Sequence, residues 1–380
     1  MNCKSSWCRT RQGHSSPRLS RSGQHFSVEW LEPVATHFNG YQLERQGTLH
    51  CPGICRFELG AAPTAVIATM PDDKSIIAVH HQPLVLHRFP FQAMGSPCEI
   101  QLFAANVATA RRGAEAAIAD IARLEARYSR YRDDSLLSDI NRVAAQGGSI
   151  AVDEETASLL NYAATCYAQS AGLFDITSGI LRRAWRFEQG HIPDPDLIAA
   201  LLARIGWHRL RWQPPLLSFP EPGLELDFGG VVKEYAVDRA ATLCHAAGLH
   251  HGVVNLGGDL KIIGPRADGQ PWRIGIKHPR APTALLETLE LHSGALATSG
   301  DYERCIVVQG RRYGHILNPH SGWPVQHLAT VSVVAEFCVI AGSAATIAML
   351  KEAHGPTWLA SLGLRHCWVD VDGGSGGDLV

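Results

Sequence analysis

Residues 224–238 read Leu-Glu-Leu-Asp-Phe-Gly-Gly-Val-Val-Lys-Glu-Tyr-Ala-Val-Asp, and they are the most informative stretch of the sequence. An apolar, strand-like run ends at Asp227, turns through Gly229 and Gly230, and opens a helix that carries Lys233 near its start. Paired glycines let the backbone approach a ligand closely, and a helix N-terminus offers unpaired N–H groups to an anion. The stretch therefore favours a phosphate-binding turn, although the same pattern also occurs as a plain packing turn.

The composition is that of a soluble globular protein. Of the 380 residues, 46% are hydrophobic and 18% are charged, and the formal net charge is −2. This charge balance argues against nucleic acid or an anionic membrane as a partner, and no apolar run is long enough to span a bilayer. Because the N-terminus lacks the apolar core of a secretory signal, we expect a cytoplasmic protein, unless a misassigned start hides an export signal.

The start of the chain differs from the remainder. Residues 1–28 contain no acidic residue and show little hydrophobic periodicity. Such a composition does not bury enough apolar surface to fold alone, so we predict that residues 1–85 are disordered or a misannotated extension, with Met70 as an alternative start. Residues 86–380 then form the folded domain.

Strands and helices follow one another irregularly in the folded domain. Two strand-like runs flank a Gly-Ser turn at residues 95–96, helical periodicity recurs up to residue 247, and alternating strand patterns dominate residues 251–335. Because a strict strand–helix alternation is missing, we predict the α+β class, with mixed sheets and packed helices, instead of a doubly wound fold.

Three further segments are dense in glycine and in Ser, Thr, Asp and His. They are residues 174–179, 298–304 and 313–325. Polar clusters of this kind are costly inside a fold unless a ligand or a metal uses them. They therefore favour the ligand-binding interpretation of the Gly-Gly turn.

Seven short motifs follow one another within residues 88–375. They are Met94, Gly95 and Ser96; Tyr131, Ser135, Ser138 and Asn141; Gly172, Phe174, Asp175, Thr177 and Gly179; Asp227, Gly229, Gly230, Lys233, Tyr235, Ala236 and Asp238; and the downstream segments Asn-x-Gly-Gly-Asp, Thr-Ser-Gly and His-Ile-x-x-Pro-x-x-Gly-x-Pro. Taken in order, these motifs resemble the ApbE family, the FAD:protein FMN transferases, and seven motifs in the family's order argue against a chance match.

The resemblance implies a two-lobed, T-fold-like domain that uses FAD as a substrate with a divalent metal, usually magnesium (Mg²⁺). A Thr or Ser hydroxyl of an acceptor protein attacks the FMN phosphate, AMP leaves, and FMN stays attached through a phosphoester. Lys233 would offset charge on the pyrophosphate, and His315 would orient or deprotonate the hydroxyl. The carbonyl of Gly230 and the hydroxyl of Thr346 would be metal ligands. The residues that would line FAD are Met94, Tyr131, Leu173, Phe174, Asp175, Asp227, Lys233 and Leu317.

The sequence departs from the family pattern at a position that matters for the metal. Gly342 stands where the family usually has an Asp that binds the metal, and Glu234 replaces a usual Gly. Glu234, Asp301 or Ser343 could supply a substitute oxygen. If none of them does, the chain would bind FAD without chemistry, and a third alternative is an FAD pyrophosphatase that uses water in place of the hydroxyl.

Overall fold

The computed structural model describes residues 82–380. The predicted N-terminal extension, with its alternative start at Met70, lies almost wholly outside the described residues. In chain order the described residues form β1 (Val85–Ala93), β2 (Ser96–Ala104), α1 (Val107–Tyr128), α2 (Leu136–Gln146), β3 (Gly148–Ala151), α3 (Glu154–Gln169), α4 (Pro195–Leu202), β4 (Arg211–Gln213), β5 (Leu216–Phe219), α5 (Val232–Ala246), β6 (Gly252–Leu256), β7 (Asp259–Gly264), β8 (Trp272–His278), β9 (Ala281–Leu291), β10 (Ala295–Gly300), β11 (Cys305–Val308), β12 (Arg311–Gly314), β13 (Leu328–Ala335), α6 (Cys338–Leu350), α7 (Gly355–Ser361), β14 (Arg365–Asp370) and β15 (Ser375–Gly377).

A large sheet organises the described part of the chain. Its eight strands lie in the order β1-β2-β6-β7-β10-β13-β14-β15. Smaller sheets are formed by β3-β5-β4, by β8 with β9, and by β11 with β12. The predicted α+β class is confirmed by this combination of sheets and separate helices. No helix within residues 82–380 is long and apolar enough to cross a membrane.

The strand directions differ from the expected mixed sheets. Every pairing between named strands in residues 82–380 is antiparallel. Short turns are one reason, because a two-residue connection reverses the chain. Met94 and Gly95, both with positive φ, join β1 to β2, and Gly257 with Gly258 joins β6 to β7. The first turn therefore lies one residue earlier than the predicted Gly-Ser turn.

Helix α1 shows how the helices are attached. Its apolar side chains recur at helical spacing, and the face that they form is buried. The Asn106 side chain accepts a hydrogen bond from the backbone N–H of Thr109 and so caps the N-terminus of the helix. The buried residues of this face include Ala110, Ala114, Ala117, Ile121 and Leu124.

Helix α6 is buried along almost its whole length. Thr346 is the one residue of this helix that keeps intermediate exposure. The N-terminus of α6 is capped from α5, since both carboxylate oxygens of Asp238 accept backbone N–H groups, from Cys338 at 2.8 Å and from Val339 at 2.9 Å. This cap fixes α5 against α6 and thereby positions the residues at the start of α5.

Candidate active site

The Gly-Gly turn closes on its own acidic residue. The Asp227 carboxylate accepts a hydrogen bond from the backbone N–H of Gly229 at 2.8 Å, and α5 begins shortly after the turn. A Cβ added to Gly230 would lie 3.2 Å from Cζ of Phe174, so the aromatic ring lies directly against the turn. A Cβ added to Gly179 would lie 2.5 Å from Cβ of Asp227. Close packing around the turn thus depends on glycine at two positions.

A cavity opens in front of this turn, and we call it the first cavity. The end of β10 contributes residues 298–300 to its wall. Segments that are far apart in sequence, including parts of all three polar clusters, therefore meet at the Gly-Gly turn. The predicted site residues that line the first cavity are Phe174, Asp175, Asp227, Gly230, Lys233, His315, Leu317 and Thr346.

Lys233 points its ammonium group at a buried carboxylate. Its Nζ lies 2.6 Å from Oδ2 of Asp259, whose other oxygen accepts the backbone N–H of Thr298 at 3.0 Å. Burial alone would lower the pKa of Lys233, but the charges of Asp259 and Glu234 outweigh burial and hold this pKa above its usual value. The lysine is therefore positively charged at neutral pH and lines the first cavity.

Asp227 is held between two arginines. Its Oδ2 lies 2.7 Å from Nη1 of Arg130 and 3.5 Å from Nη2 of Arg182. Arg130 is 97 residues away in sequence, so the contact joins distant parts of the chain. The two guanidinium groups add positive charge beside the turn, which favours an anionic ligand there.

A second cavity adjoins the first. Arg182 and His315 line both cavities, and the second also contains Tyr131 and Arg304. Tyr131 is 78% exposed, and the guanidinium of Arg130 lies 4.8 Å from the centroid of its ring. An exposed aromatic ring beside a cation provides a flat surface on which another ring can stack.

His315 lies at the junction of the two cavities. Its Nδ1 is buried and has no hydrogen-bond partner in the described part of the chain. Burial lowers the pKa of His315 from its ordinary value of 6.5, and the charge of Arg304 lowers it further. The imidazole is consequently neutral at pH 7 and able to accept a proton.

Asp175 has a structural role in addition to its place in the cavity wall. Its Oδ1 accepts hydrogen bonds from the backbone N–H and the hydroxyl of Thr177, and its Oδ2 accepts the backbone N–H of Trp207. These bonds cap the 3₁₀ helix Ile176–Arg183. Burial raises the pKa of Asp175, and the hydrogen bonds oppose that rise.

The residues expected at a metal site line the first cavity. Gly230, Glu234 and Thr346 line it, and the hydroxyls of Thr346 and Ser299 lie 2.8 Å apart. Residues 82–380 contain no group of three or more His, Cys, Asp or Glu side chains that could hold a metal alone. Mg²⁺ does not need such a cage, because it usually binds one or two carboxylates together with substrate phosphates. The residues present therefore fit this ion.

Two of the three substitutes considered for the missing Asp are already occupied. The buried Ser343 hydroxyl bonds to the Val339 carbonyl at 2.8 Å and to the Tyr162 hydroxyl at 2.6 Å. Both Asp301 oxygens pair with Arg280 at 2.7 Å. Neither Ser343 nor Asp301 lines the first cavity, so the geometry does not favour these two alternatives. The carboxylate that remains is that of Glu234.

The remaining predicted residues lie elsewhere. Met94 is in the β1–β2 turn and Leu173 follows α3, and neither lines the first or the second cavity. Sequence reasoning missed Arg130 and Arg182. Arg182 follows the polar cluster at residues 174–179 by one helical turn, so its spacing was a usable signal, whereas nothing in the sequence marked Arg130.

Comparison with known proteins agrees with this geometry. The profile of the ApbE family matches residues 94–368. The FAD:protein FMN transferase of Vibrio cholerae is 31% identical over 234 residues, which are 60% of this chain and 70% of that protein. The crystal structure of the ApbE protein of Thermotoga maritima has a TM-score of 0.71 at 30% identity, and the match covers 77% of this chain and 97% of the other. The apo form of the Pseudomonas stutzeri flavinyl transferase ApbE has a TM-score of 0.69 at 29% identity, with 77% and 93% covered. The chain belongs to the ApbE family.

Proposed function

We propose that this protein transfers FMN from FAD to a Thr or Ser hydroxyl of an acceptor protein and releases AMP. We assign the activity to residues 86–380. The observation that carries the proposal is that Lys233, His315 and the Gly-Gly turn line one cavity. A phosphate-binding turn, a fixed cation and a neutral imidazole suit phosphoryl transfer to an alcohol. The names of the relatives support the choice of FAD as the phosphate donor.

The two adjoining cavities suit a long dinucleotide. FAD carries an aromatic ring system at each end and a pyrophosphate in the middle. The first cavity offers Lys233 and the backbone of the Gly-Gly turn to the pyrophosphate, and the second offers the exposed ring of Tyr131 to a flat ring. Arg182 and His315, which line both cavities, would then lie near the phosphates.

The chemical step follows from these positions. The acceptor hydroxyl oxygen forms a bond to the FMN phosphorus, and the bond from that phosphorus to the oxygen shared with the AMP phosphate breaks. His315 accepts the hydroxyl proton, and Lys233 with Arg182 offsets the charge that develops on the phosphate oxygens. The oxygens of Gly230 and Thr346 would hold Mg²⁺, which supplies further neutralisation of phosphate charge when bound.

Incubation of the full chain with FAD, Mg²⁺ and a Thr-containing acceptor protein tests the proposal. Intact mass analysis of the acceptor and chromatography of the nucleotides are the two measurements. We expect an acceptor heavier by one FMN and an equal amount of AMP. Free FMN and AMP with an unmodified acceptor would instead indicate a pyrophosphatase, and FAD that is bound but unchanged would indicate a flavin-binding protein.

A pair of lysine variants links the activity to the first cavity. Lys261 lies on β7, contacts the ring of Phe337 and lines neither cavity. Its replacement therefore removes one positive charge from the protein but none from the two cavities. We expect Lys233→Met to abolish FMN transfer and Lys261→Met to retain it. Equal loss of transfer in both variants would show that overall charge, and not the first cavity, governs the reaction.

A further inference from the structure

Glu234 places a buried carboxylate in the wall of the first cavity. It lies in the first turn of α5 and is 7% exposed, and its side chain lines the first cavity. Its Oε2 is buried and has no hydrogen-bond partner among the described residues. A buried carboxylate oxygen without a partner costs free energy, so this atom is suited to a ligand that comes from outside the chain.

The neighbouring charges leave this carboxylate uncompensated. Lys233 supplies one positive charge to two buried carboxylates, and its Nζ lies 2.6 Å from Asp259 but 3.9 Å from Glu234. The close pair is therefore Lys233 with Asp259. When Glu234 is ionised, its negative charge has no close partner, and a cation bound in the first cavity would balance it.

Gly342 makes room for the Glu234 side chain. A Cβ added to Gly342 would fall well inside contact distance of Cγ of Glu234, and would lie 3.1 Å from its Cδ and 3.3 Å from its Oε1. The Glu234 side chain therefore occupies the space into which any side chain at position 342 would project. Thr346 lies one helical turn further along α6 and lines the same cavity.

We propose that Glu234, reaching over Gly342, is the carboxylate ligand of a divalent cation in the first cavity. The Thr346 hydroxyl and the Gly230 carbonyl are the neighbouring oxygens of the site. The two departures from the family pattern, at positions 234 and 342, are then one exchange: the carboxylate comes from α5, and the space for it comes from α6. The inference rests on the proposed function only in that a phosphate-transfer site uses such a cation.

Titration of the full-length protein with Mn²⁺, followed by the EPR signal of free Mn²⁺, tests the inference without FAD or turnover. Mn²⁺ takes oxygen ligands as Mg²⁺ does. We expect Glu234→Gln to weaken Mn²⁺ binding by roughly tenfold or more, because even groups behind the direct ligands are worth about 10–100-fold. Glu303→Gln, which removes an exposed carboxylate from the same cavity, should change the affinity far less.

An exchange variant separates ligation from general charge. E234G should bind Mn²⁺ as weakly as E234Q, whereas E234G/G342D, which places a carboxylate on α6 and clears its space, should recover most of the lost affinity. Thermal melting identifies the variants that fold. Wild-type protein that does not bind Mn²⁺, an E234Q variant of unchanged affinity, or a folded exchange variant that binds no better than E234G would each overturn the inference. Because none of these results depends on FMN transfer, failure here and failure of the proposed function are distinguishable.

Discussion

Replacing Lys233 by Met separates the structural role of this residue from its chemical role. The pair of Lys233 and Asp259 is largely inaccessible, with 28% and 4% of the two side chains exposed and 2.6 Å between Nζ and Oδ2. At an effective dielectric constant of about 20, the gross attraction at this distance is about 6 kcal/mol. Much of it offsets desolvation, and removal of one partner from a buried pair typically costs about 3–5 kcal/mol. Because Lys233 keeps some contact with water, we expect Lys233→Met to lower the free energy of unfolding by about 3 kcal/mol.

The double variant K233M/D259N completes this experiment. Asp259→Asn removes the buried carboxylate that Lys233→Met leaves without its partner. We therefore expect the double variant to be about 2 kcal/mol more stable than the sum of the two single changes predicts. The amide oxygen introduced at position 259 can still accept the N–H of Thr298. FMN transfer should stay absent, because the cation at position 233 is missing from the cavity.

Urea unfolding at a fixed, mildly alkaline pH, followed by circular dichroism, gives the four free energies of the cycle. A loss below about 1 kcal/mol in K233M, or single effects that simply add, would refute the structural reasoning. A double variant that transfers FMN would refute the chemical role assigned to Lys233.

Three further changes test other parts of the site. Burial raises the pKa of Asp238 from 3.8 to about 6. The stability that protonated Asp238 contributes is therefore present below pH 3.8 and lost as the pH rises through 6. Relative to D238N, the free energy of unfolding of the wild-type protein should fall by on the order of 3 kcal/mol between about pH 4 and pH 8, measured by chemical unfolding. Because the pKa of His315 is lowered from 6.5, the rate of FMN transfer should fall only below pH 6.5, and H315N should lose roughly 10²–10⁴-fold in rate together with that acid limb. A methyl group at Gly179 would collide with Asp227, so G179A should lower the free energy of unfolding by about 1–3 kcal/mol and weaken FAD binding, measured by flavin fluorescence.

Local features of the site could be predicted from the sequence. The Gly-Gly turn and Lys233 lie within one short turn–helix segment, so their positions relative to each other follow from their spacing in the sequence. The apolar run before the turn was predicted to be strand-like, and that part of the prediction is wrong, because residues 223–228 form no strand. The α+β class followed from the irregular order of strands and helices. The exact position of the β1–β2 turn did not, because Met94 adopts a positive φ that is uncommon for a residue with a side chain.

Relations between distant segments could not be predicted in the same way. The pairing of Arg130 with Asp227 depends on how α1 ends beside the turn, and no periodicity encodes that contact. Asp175 was predicted as a ligand residue, yet its hydrogen bonds to Thr177 and Trp207 also make it a cap. The position of the Glu234 side chain beside Gly342 depends on how α5 packs against α6, and the sequence alone does not give that packing.

The sharing of Arg182 and His315 by the two cavities has a kinetic consequence. A substrate that fills both cavities is held at two points by a short tether, and each half raises the effective concentration of the other. If FAD spans both cavities as proposed, cleavage near the shared residues separates its two halves, and each product keeps the contacts of one cavity only. We therefore expect product inhibition to be weaker than the binding of intact FAD.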